Sequence, residues 1–327
     1  MGIIKTIGLV AITATIATGA VAQELKLADF QPPTHFIVDT TYTPFGEAIS
    51  AATGGETTVK VFMGGELGAG PAEQYNRVVD GVADIAFGLP GYTASNFPLT
   101  LISELPGVIT AEGGTQAMMD NVDMLSDEYR RVQLVGLWNN APNLILTAEK
   151  PVRSMDDLAG MNIRVPSRNA GIVVQAWGAN PVSMPAPEIY NAMQTGVLNA
   201  ANTSSSSFVS YRIYEQVKCY TPAGDVALWF MYQPLLMNKS TFEGLSQEQQ
   251  DAIMAGAEKA QAFYLEEAKK EDAASVEVFE KAGVEIAKMS EEDFNKWREI
   301  AMETSYKAFI ESVPDGQELL DKALAVE

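Results

Sequence analysis

Apolar and polar positions along the chain alternate first with the period of a strand and then with the period of a helix. Residues 25–28 alternate as in a strand, residues 36–53 carry apolar side chains at helical spacing, and residues 59–62 form a second strand pattern. The same order returns with a helix at 71–80 and a strand at 83–87. Repeated strand-helix units predict an α/β fold with a parallel sheet and helices on both of its faces.

The pattern restarts after about residue 149, which indicates a second α/β unit. Ser154 and Asp157 are spaced as a capping box that opens a short helix. The next strand, residues 161–165, alternates so that Asn162 and Arg164 share one face and the apolar residues share the other. Asn169 is expected to cap a helix at 170–177.

A long helix is predicted near the carboxyl end. Ser246 and Gln249 form its capping box, and the helical pattern continues to Lys281 with Gly256 as an interior breaker. Such a helix would extend roughly 50 Å at about 1.5 Å per residue, which is more than one small domain. We therefore expect it to brace two domains. One would contain residues 23–147 with about 237–275, and the other residues 148–236 with about 276–327.

The first 22 residues have the pattern of a secretory signal peptide. Lys5 is the only charge before Glu24, residues 7–20 are apolar or small, and Ala20-Val21-Ala22 precedes Gln23. A charged start, an apolar stretch and an A-x-A site are typical of a segment that is removed on export. The alternative is a membrane anchor, but the uncharged run is interrupted by four threonines.

Composition excludes several classes of function. The 327 residues include 42 acidic and 22 basic side chains, with a formal charge of −20, so nucleic acid is not an expected partner. One histidine and one cysteine exclude zinc sites of the Cys/His type, disulfide frameworks and most histidine-dependent triads. We expect no cofactor and no metal, and any chemistry must use carboxylates, amides, hydroxyls, Arg or Lys.

A series of short motifs carries a family resemblance. Each motif is weak alone, but their order and spacing cover most of the chain after residue 22. The chain resembles the periplasmic substrate-binding subunits of tripartite ATP-independent periplasmic (TRAP) transporters, of the dicarboxylate-binding (DctP) type. The motifs are Gly64-Gly65-Glu66-Leu67-Gly68, Asp80-Gly81-Val82-Ala83-Asp84-Ile85, Glu104-Leu105-Pro106, the segment 157–166 that includes Arg164, Gly178-Ala179-Asn180-Pro181-Val182, and the segment 188–196.

The resemblance implies a two-domain periplasmic binding protein, type II-like, with a central cleft, crossing strands and a long helix bracing both domains. It implies a small organic acid as ligand, captured in the periplasm and delivered to small and large TRAP membrane subunits. It also implies that Arg164 pairs with a carboxylate of the ligand. The residues agree, because Arg164 ends a strand, where open α/β sheets place ligands, and a guanidinium can grip a carboxylate with two hydrogen bonds. Without the resemblance, a salt bridge to one of the many surface acids would be the preferred explanation of Arg164.

The sequence departs from the family pattern in two places. Thr203 stands near the position at which some relatives carry a ligand-contacting Asn, and the second Arg of some sialic-acid and dicarboxylate binders is missing from residues 139–143. The missing Arg argues against a ligand that needs two cationic partners. Ser167 and Arg168, which follow the Arg164 strand, are further candidates for ligand contact.

Several segments should face the cleft if the fold is right. They bring three polar candidates, His35, Glu66 and Asn140, together with an excess of aromatic side chains. We expect the ligand to be an aromatic or apolar monocarboxylate. The alternative is that many of the rings pack into the core, because strand alternation sends neighbours to opposite faces. The rings are Tyr92, Trp138, Trp229, Phe230 and Tyr232.

One class of enzyme stays open. An exported hydrolase with a carboxylate pair would need no histidine, but no spacing singles out a pair among the 42 acidic residues. The serine-rich stretch 204–207 lies in no Gly-x-Ser-x-Gly elbow. Binding without turnover is the preferred interpretation.

Overall fold

The computed structural model describes residues 23–110, 113–140, 143–222 and 230–325, so the predicted signal peptide lies outside the described residues. Its strands are β1 (Gln23–Ala28), β2 (Thr57–Phe62), β3 (Ile85–Phe87), β4 (Val132–Asn139), β5 (Asn143–Thr147), β6 (Asn162–Val165), β7 (Asn180–Ser183), β8 (Ala200–Ser204), β9 (Cys219–Thr221), β10 (Tyr232–Asn238) and β11 (Glu285–Ile286). They form a five-stranded sheet, in the order β2-β1-β3-β10-β4, and a six-stranded sheet, in the order β11-β9-β5-β8-β6-β7.

Helices cover both faces of both sheets. They are α1 (Thr43–Ala52), α2 (Gln74–Val79), α3 (Gly114–Asp120), α4 (Arg168–Ala176), α5 (Ile189–Gln194), α6 (Ser205–Ser210), α7 (Lys239–Gly244), α8 (Gln247–Lys281), α9 (Glu291–Ser312) and α10 (Gly316–Leu324). A π-helical turn, Val38–Tyr42, leads into α1, and short 3-10 turns lie at Pro90–Asn96, Thr100–Glu104, Val122–Leu125, Met155–Leu158, Ala186–Glu188 and Ile213–Gln216. Among these described helices, none is both long and apolar enough to cross a membrane.

The α/β prediction is confirmed, but the sheets are mixed rather than parallel. Strands β1, β2 and β3 run parallel, whereas β10 lies antiparallel between β3 and β4. In the other sheet β5 is antiparallel to both β8 and β9. Both exceptions are crossing strands. The chain enters β5 from β4 of the other sheet, and it enters β10 after β9 of the other sheet.

We propose that the two sheets define two domains, called the first and the second domain below. This division differs from the sequence boundaries at both crossings. Strand β5 was assigned to the first unit but pairs in the second sheet, and β10, assigned largely to the second unit, pairs in the first sheet. Helix α10 was also assigned to the second unit, but its Leu320 packs with Leu105 of the first domain.

Helix α8 braces both domains, as predicted. Ser246 and Gln249 form the expected reciprocal capping box, and the helix runs for 35 residues. Ile253 and Tyr264 in its first half pack into the core of the first domain, while Phe279 near its end packs into that of the second. The two sheets are therefore joined by a continuous helix as well as by two crossings.

The helix after Arg164 begins earlier than predicted. Ser167, not Asn169, is the N-cap of α4, and its hydroxyl oxygen accepts a hydrogen bond from the Ala170 amide at 3.2 Å. Both residue types can cap a helix, but only Ser167 has the extended backbone that a cap requires. The shift places Ser167 at the boundary between the domains.

Candidate functional site

Arg164 is held at the carboxyl end of β6 by the alternation that the sequence predicted. Its neighbours Ile163 and Val165 pack into a core on one face of the second sheet, so the arginine side chain emerges on the other face. The residue is nevertheless buried, with only 2% of its surface exposed. A charged side chain so deep in a protein is uncommon and requires partners.

All three nitrogens of the Arg164 guanidinium donate to protein oxygens. Nε donates to the carbonyl of Met184 at 3.0 Å, Nη1 to the carbonyl of Asn202 at 2.7 Å, and Nη2 to the hydroxyl of Tyr92. A guanidinium has five N–H groups, so these three bonds to described residues leave two N–H groups available. No carboxylate of the described residues lies within 4.0 Å of Arg164. Within the described residues, the positive charge is therefore oriented but has no carboxylate partner.

Tyr92 brings the first domain into contact with this arginine. Its hydroxyl accepts from Arg164 and donates to the Met184 carbonyl at 3.3 Å, and both of those residues belong to the second domain. Burial raises the pKa of the Tyr92 hydroxyl, while Arg164 lowers it in part. Tyr92 therefore makes a bridge between the domains at the charged group.

Tyr211, which follows α6, was missed by the sequence analysis. Its hydroxyl reaches across to Gln31 Oε1 of the first domain at 3.4 Å. Burial raises the pKa of Tyr211, Asp29 and Tyr92 raise it further, and Arg164 lowers it, so these groups lie within electrostatic range of each other. No local pattern marks this tyrosine, because its partner is 180 residues away in the chain.

The first domain presents a buried polar network to Tyr211. The carboxylate of Asp29 accepts from the Gln31 amide at 2.9 Å, from Gln31 Nε2 at 3.1 Å and from the Tyr42 hydroxyl at 2.6 Å. Burial raises the pKa of Asp29 to about 6, although these hydrogen bonds lower it in part. The bond from Nε2 to Asp29 orients the side-chain amide of Gln31 so that its Oε1 atom faces the Tyr211 hydroxyl.

His35 lies in the same first-domain loop and is buried. Its Nδ1 accepts from the Ile37 amide at 3.2 Å, and its ring centroid is 4.8 Å from that of Phe36 and 5.7 Å from that of Tyr211. Burial lowers the pKa of His35 to about 3. The imidazole is therefore neutral near pH 7 and lies between the two domains.

A second buried carboxyl group lies at the domain boundary. Neither oxygen of Glu104 has a hydrogen-bond partner among the described residues. Burial raises the pKa of Glu104 to about 8, and the nearby Ser167 hydroxyl lowers it in part. Gly91 lies against both groups, because a Cβ added to it would be 2.7 Å from Ser167 Cβ and 3.0 Å from Glu104 Oε1. Gly91 and Glu104 belong to the first domain and Ser167 to the second.

The remaining predicted site residues occupy different environments. Thr203 is buried in β8. Arg164 pairs with Ala201, which is two residues before Thr203 on that strand, so Thr203 lies on the same face of the sheet as Arg164. The Asn140 side-chain oxygen accepts from the Met231 amide at 2.8 Å, which joins the two crossing segments. Glu66 and Arg168 are exposed.

The aromatic residues divide between core and cleft. Trp138 packs against Tyr264 in the core of the first domain and donates to Gln233 Oε1 at 2.9 Å. Tyr232 is fully buried in the same domain and donates to the Gly114 carbonyl at 2.6 Å. The expectation that these two rings line the cleft is therefore wrong, because each packs in an apolar core with its polar atom already bonded. Trp229 lies outside the described residues.

Comparison with known proteins identifies a family. The model of the bacterial extracellular solute-binding proteins, family 7 (DctP), matches residues 27–312. A solute-binding protein of Albidiferax ferrireducens is 33% identical over 270 residues, which cover 81% of this chain and 79% of that protein.

Solved structures of similar proteins share the fold. A TRAP solute-binding protein from a marine metagenome, described as specific for aromatic acid ligands and solved with 3-hydroxybenzoate, has a TM-score of 0.87 and 28% identity. The comparison covers 92% of this chain and 97% of that one. A TRAP solute-binding protein of Rhodoferax ferrireducens, solved with copurified benzoate, has a TM-score of 0.85 and 25% identity, with 92% and 96% of the two chains covered.

Proposed function

The chain belongs to the bacterial extracellular solute-binding proteins of family 7, and we propose that it binds an aromatic or apolar monocarboxylate through Arg164. Its general role, as a periplasmic TRAP solute-binding protein for organic acids, follows from that membership. The proposal concerns the ligand class and the residue that anchors it.

The observation that carries the proposal is that no carboxylate of the described residues neutralises the charge of Arg164. A buried guanidinium with two spare N–H groups and no carboxylate nearby among the described residues is costly in free energy unless a ligand supplies the anion. A carboxylate fits, because it accepts two parallel charge-assisted hydrogen bonds. Among the described groups near Arg164, Tyr92, Tyr211 and Thr203 are neutral, and Asp29 would repel a second carboxylate.

The remainder of the ligand would lie between Tyr92 and Tyr211, the two tyrosines that bridge the domains. Aromatic walls favour a ring-bearing or apolar body. Two similar proteins were solved with 3-hydroxybenzoate and with benzoate, which supports an aromatic acid. Arg168 and Glu66 are exposed, and we propose them only as rim contacts.

We propose binding without turnover, followed by delivery to the small and large membrane subunits of a TRAP transporter. Closure would bury the ligand and create a surface that exists only in the loaded protein. The low pKa of His35 argues against a histidine-dependent catalytic triad. Burial lowers this pKa to about 3, which makes the imidazole a poor general base near pH 7.

The test is isothermal titration calorimetry of the protein from Gln23 onward with matched ligands. Benzoate and phenylacetate should bind, benzamide should not, and malonate should bind more weakly than benzoate. Benzamide has the shape of benzoate without its charge, so it separates carboxylate recognition from ring burial. A ligand at 100 times its dissociation constant should also stabilise the fold by about 2.7 kcal/mol. Binding of benzamide as tightly as benzoate, or of amines alone, would contradict the proposal.

A further inference from the structure

His35 carries a hydrogen-bond donor whose direction the structure determines. Its Nδ1 accepts from the Ile37 amide at 3.2 Å, so in the neutral ring the proton is on Nε2. Burial lowers the pKa of His35 to about 3, so the ring carries a single proton throughout the neutral range. Nε2–H is therefore a fixed, uncharged donor.

This donor has no acceptor among the described residues. His35 is 3% exposed, and Nε2 has no hydrogen-bond partner in the part of the chain that the structure describes. A buried donor without a partner costs about 1–3 kcal/mol, and most buried polar groups in proteins are paired. The group therefore needs an acceptor that is not among the described protein atoms.

The position of His35 indicates where that acceptor comes from. The ring lies between Phe36 of the first domain and Tyr211 of the second. Tyr211 is within electrostatic range of Arg164 and bonds Gln31, four residues before His35. Arg164 of the second domain and His35 of the first are thus related through Tyr211, and this is the region in which we place the ligand.

We infer that the aromatic acid carries a neutral oxygen acceptor, a hydroxyl group, on its ring, and that His35 Nε2–H donates to this oxygen while Arg164 holds the carboxylate. The inference rests on the proposed function and narrows its ligand class to hydroxylated aromatic acids. A second carboxylate in place of the hydroxyl is disfavoured, because His35 is uncharged and the Asp29 carboxyl lies in the adjacent network.

Two variants distinguish the role of the acceptor nitrogen of His35, Nδ1, from that of the donor nitrogen, Nε2. In His35→Asn the side-chain oxygen can replace Nδ1 as acceptor for the Ile37 amide, but no donor reaches the position of Nε2. In His35→Gln the amide nitrogen can reach that position. Calorimetric titrations would use benzoate and 2-, 3- and 4-hydroxybenzoate with the wild type and both variants.

The wild type should bind at least one hydroxybenzoate about tenfold or more tightly than benzoate, since a site built around a hydroxyl rejects the analogue that lacks it. His35→Asn should reduce that preference to within about twofold, so that it weakens the preferred hydroxybenzoate more than it weakens benzoate. His35→Gln should keep part of the preference.

Three outcomes would overturn the inference. If the wild type binds benzoate as tightly as every hydroxybenzoate, the hydroxyl subsite is wrong while the proposed function stands. If His35→Asn weakens benzoate and hydroxybenzoate by the same factor, His35 acts by packing alone. If no aromatic acid binds the wild type at all, the proposed ligand class fails and the inference fails with it.

Discussion

Arg164 of the second domain donates a hydrogen bond to the hydroxyl of Tyr92, which belongs to the first domain. The side chain proposed to bind the ligand carboxylate is therefore also part of the contact between the domains. Ligand capture and domain closure would use the same guanidinium, so a change at either residue should affect both.

Replacing Arg164 tests the anchor directly. Arg164→Lys keeps a positive charge but loses the planar pair of donors, so benzoate affinity should fall about a hundredfold, or roughly 3 kcal/mol. Arg164→Ala should abolish measurable binding in calorimetry. The control is Arg153→Ala, since Arg153 is about half exposed and bonded to Glu285 at 2.6 Å. Equal affinity in Arg164→Lys and wild type would contradict the assignment.

Tyr92→Phe removes one hydroxyl and two hydrogen bonds between the domains. Affinity should fall about thirtyfold, because the two bonds are worth about 1 kcal/mol each and the ring remains in place. Tyr190→Phe is the matched control, since the Tyr190 hydroxyl bonds Glu215 at an exposed site within the second domain. An equal effect of the two substitutions on titrations with benzoate would show that Tyr92 has no special part in closure.

Gly91→Ala places a methyl group between the domains. Its Cβ would lie 2.7 Å from Ser167 Cβ, closer than two such atoms approach, so the domains must separate slightly. Ligand affinity should fall at least tenfold, with little change in the melting temperature of the unliganded protein. Gly244→Ala is the control, because no atom lies within 4 Å of its added Cβ. Unchanged affinity in Gly91→Ala would mean that this contact does not limit closure.

Glu104 should make the free energy of unfolding depend on pH. Burial raises the pKa of its carboxyl from 4.5 to about 8, so the folded protein binds a proton that the unfolded chain has released at neutral pH. The contribution to stability is full below pH 4.5 and is lost as the pH rises toward 8, by up to about 1.4 kcal/mol per unit.

Other buried groups titrate in the same range, so the measurement compares wild type with Glu104→Gln, which has a similar shape and no charge. Urea unfolding of both proteins at pH 5, 6, 7 and 8 should show the wild type losing stability relative to the variant at each step. A constant difference across these pH values would exclude a raised pKa at Glu104.

The local features of the chain could be predicted because their partners lie within a few positions. The capping boxes at Ser154 and Ser246, the alternation around Arg164 and the extent of α8 depend on side chains one to four residues apart. The same reasoning placed the N-cap of α4 two residues late, since Ser167 and Asn169 are equally good caps and only the backbone direction separates them.

Strand alternation could not tell which buried face of a strand meets the cleft. Trp138 and Tyr232 were expected to line it, but both complete apolar cores, since both faces of each sheet are covered. Likewise nothing local assigned β10 to the first sheet, because that pairing requires the chain to return from the second domain.

The sequence by itself therefore determined the family and the α/β class and singled out Arg164 as the proposed anchor, since motifs and short-range periodicity depend on neighbouring residues. The tertiary structure alone decided which groups meet that arginine across the cleft. Tyr92 lies 72 residues from Arg164 and Gln31 lies 180 from Tyr211, so these contacts exist only after two crossings and α8 have aligned the domains. A hydrogen bond depends on distance in space, and separation in the chain places no local signal on either partner.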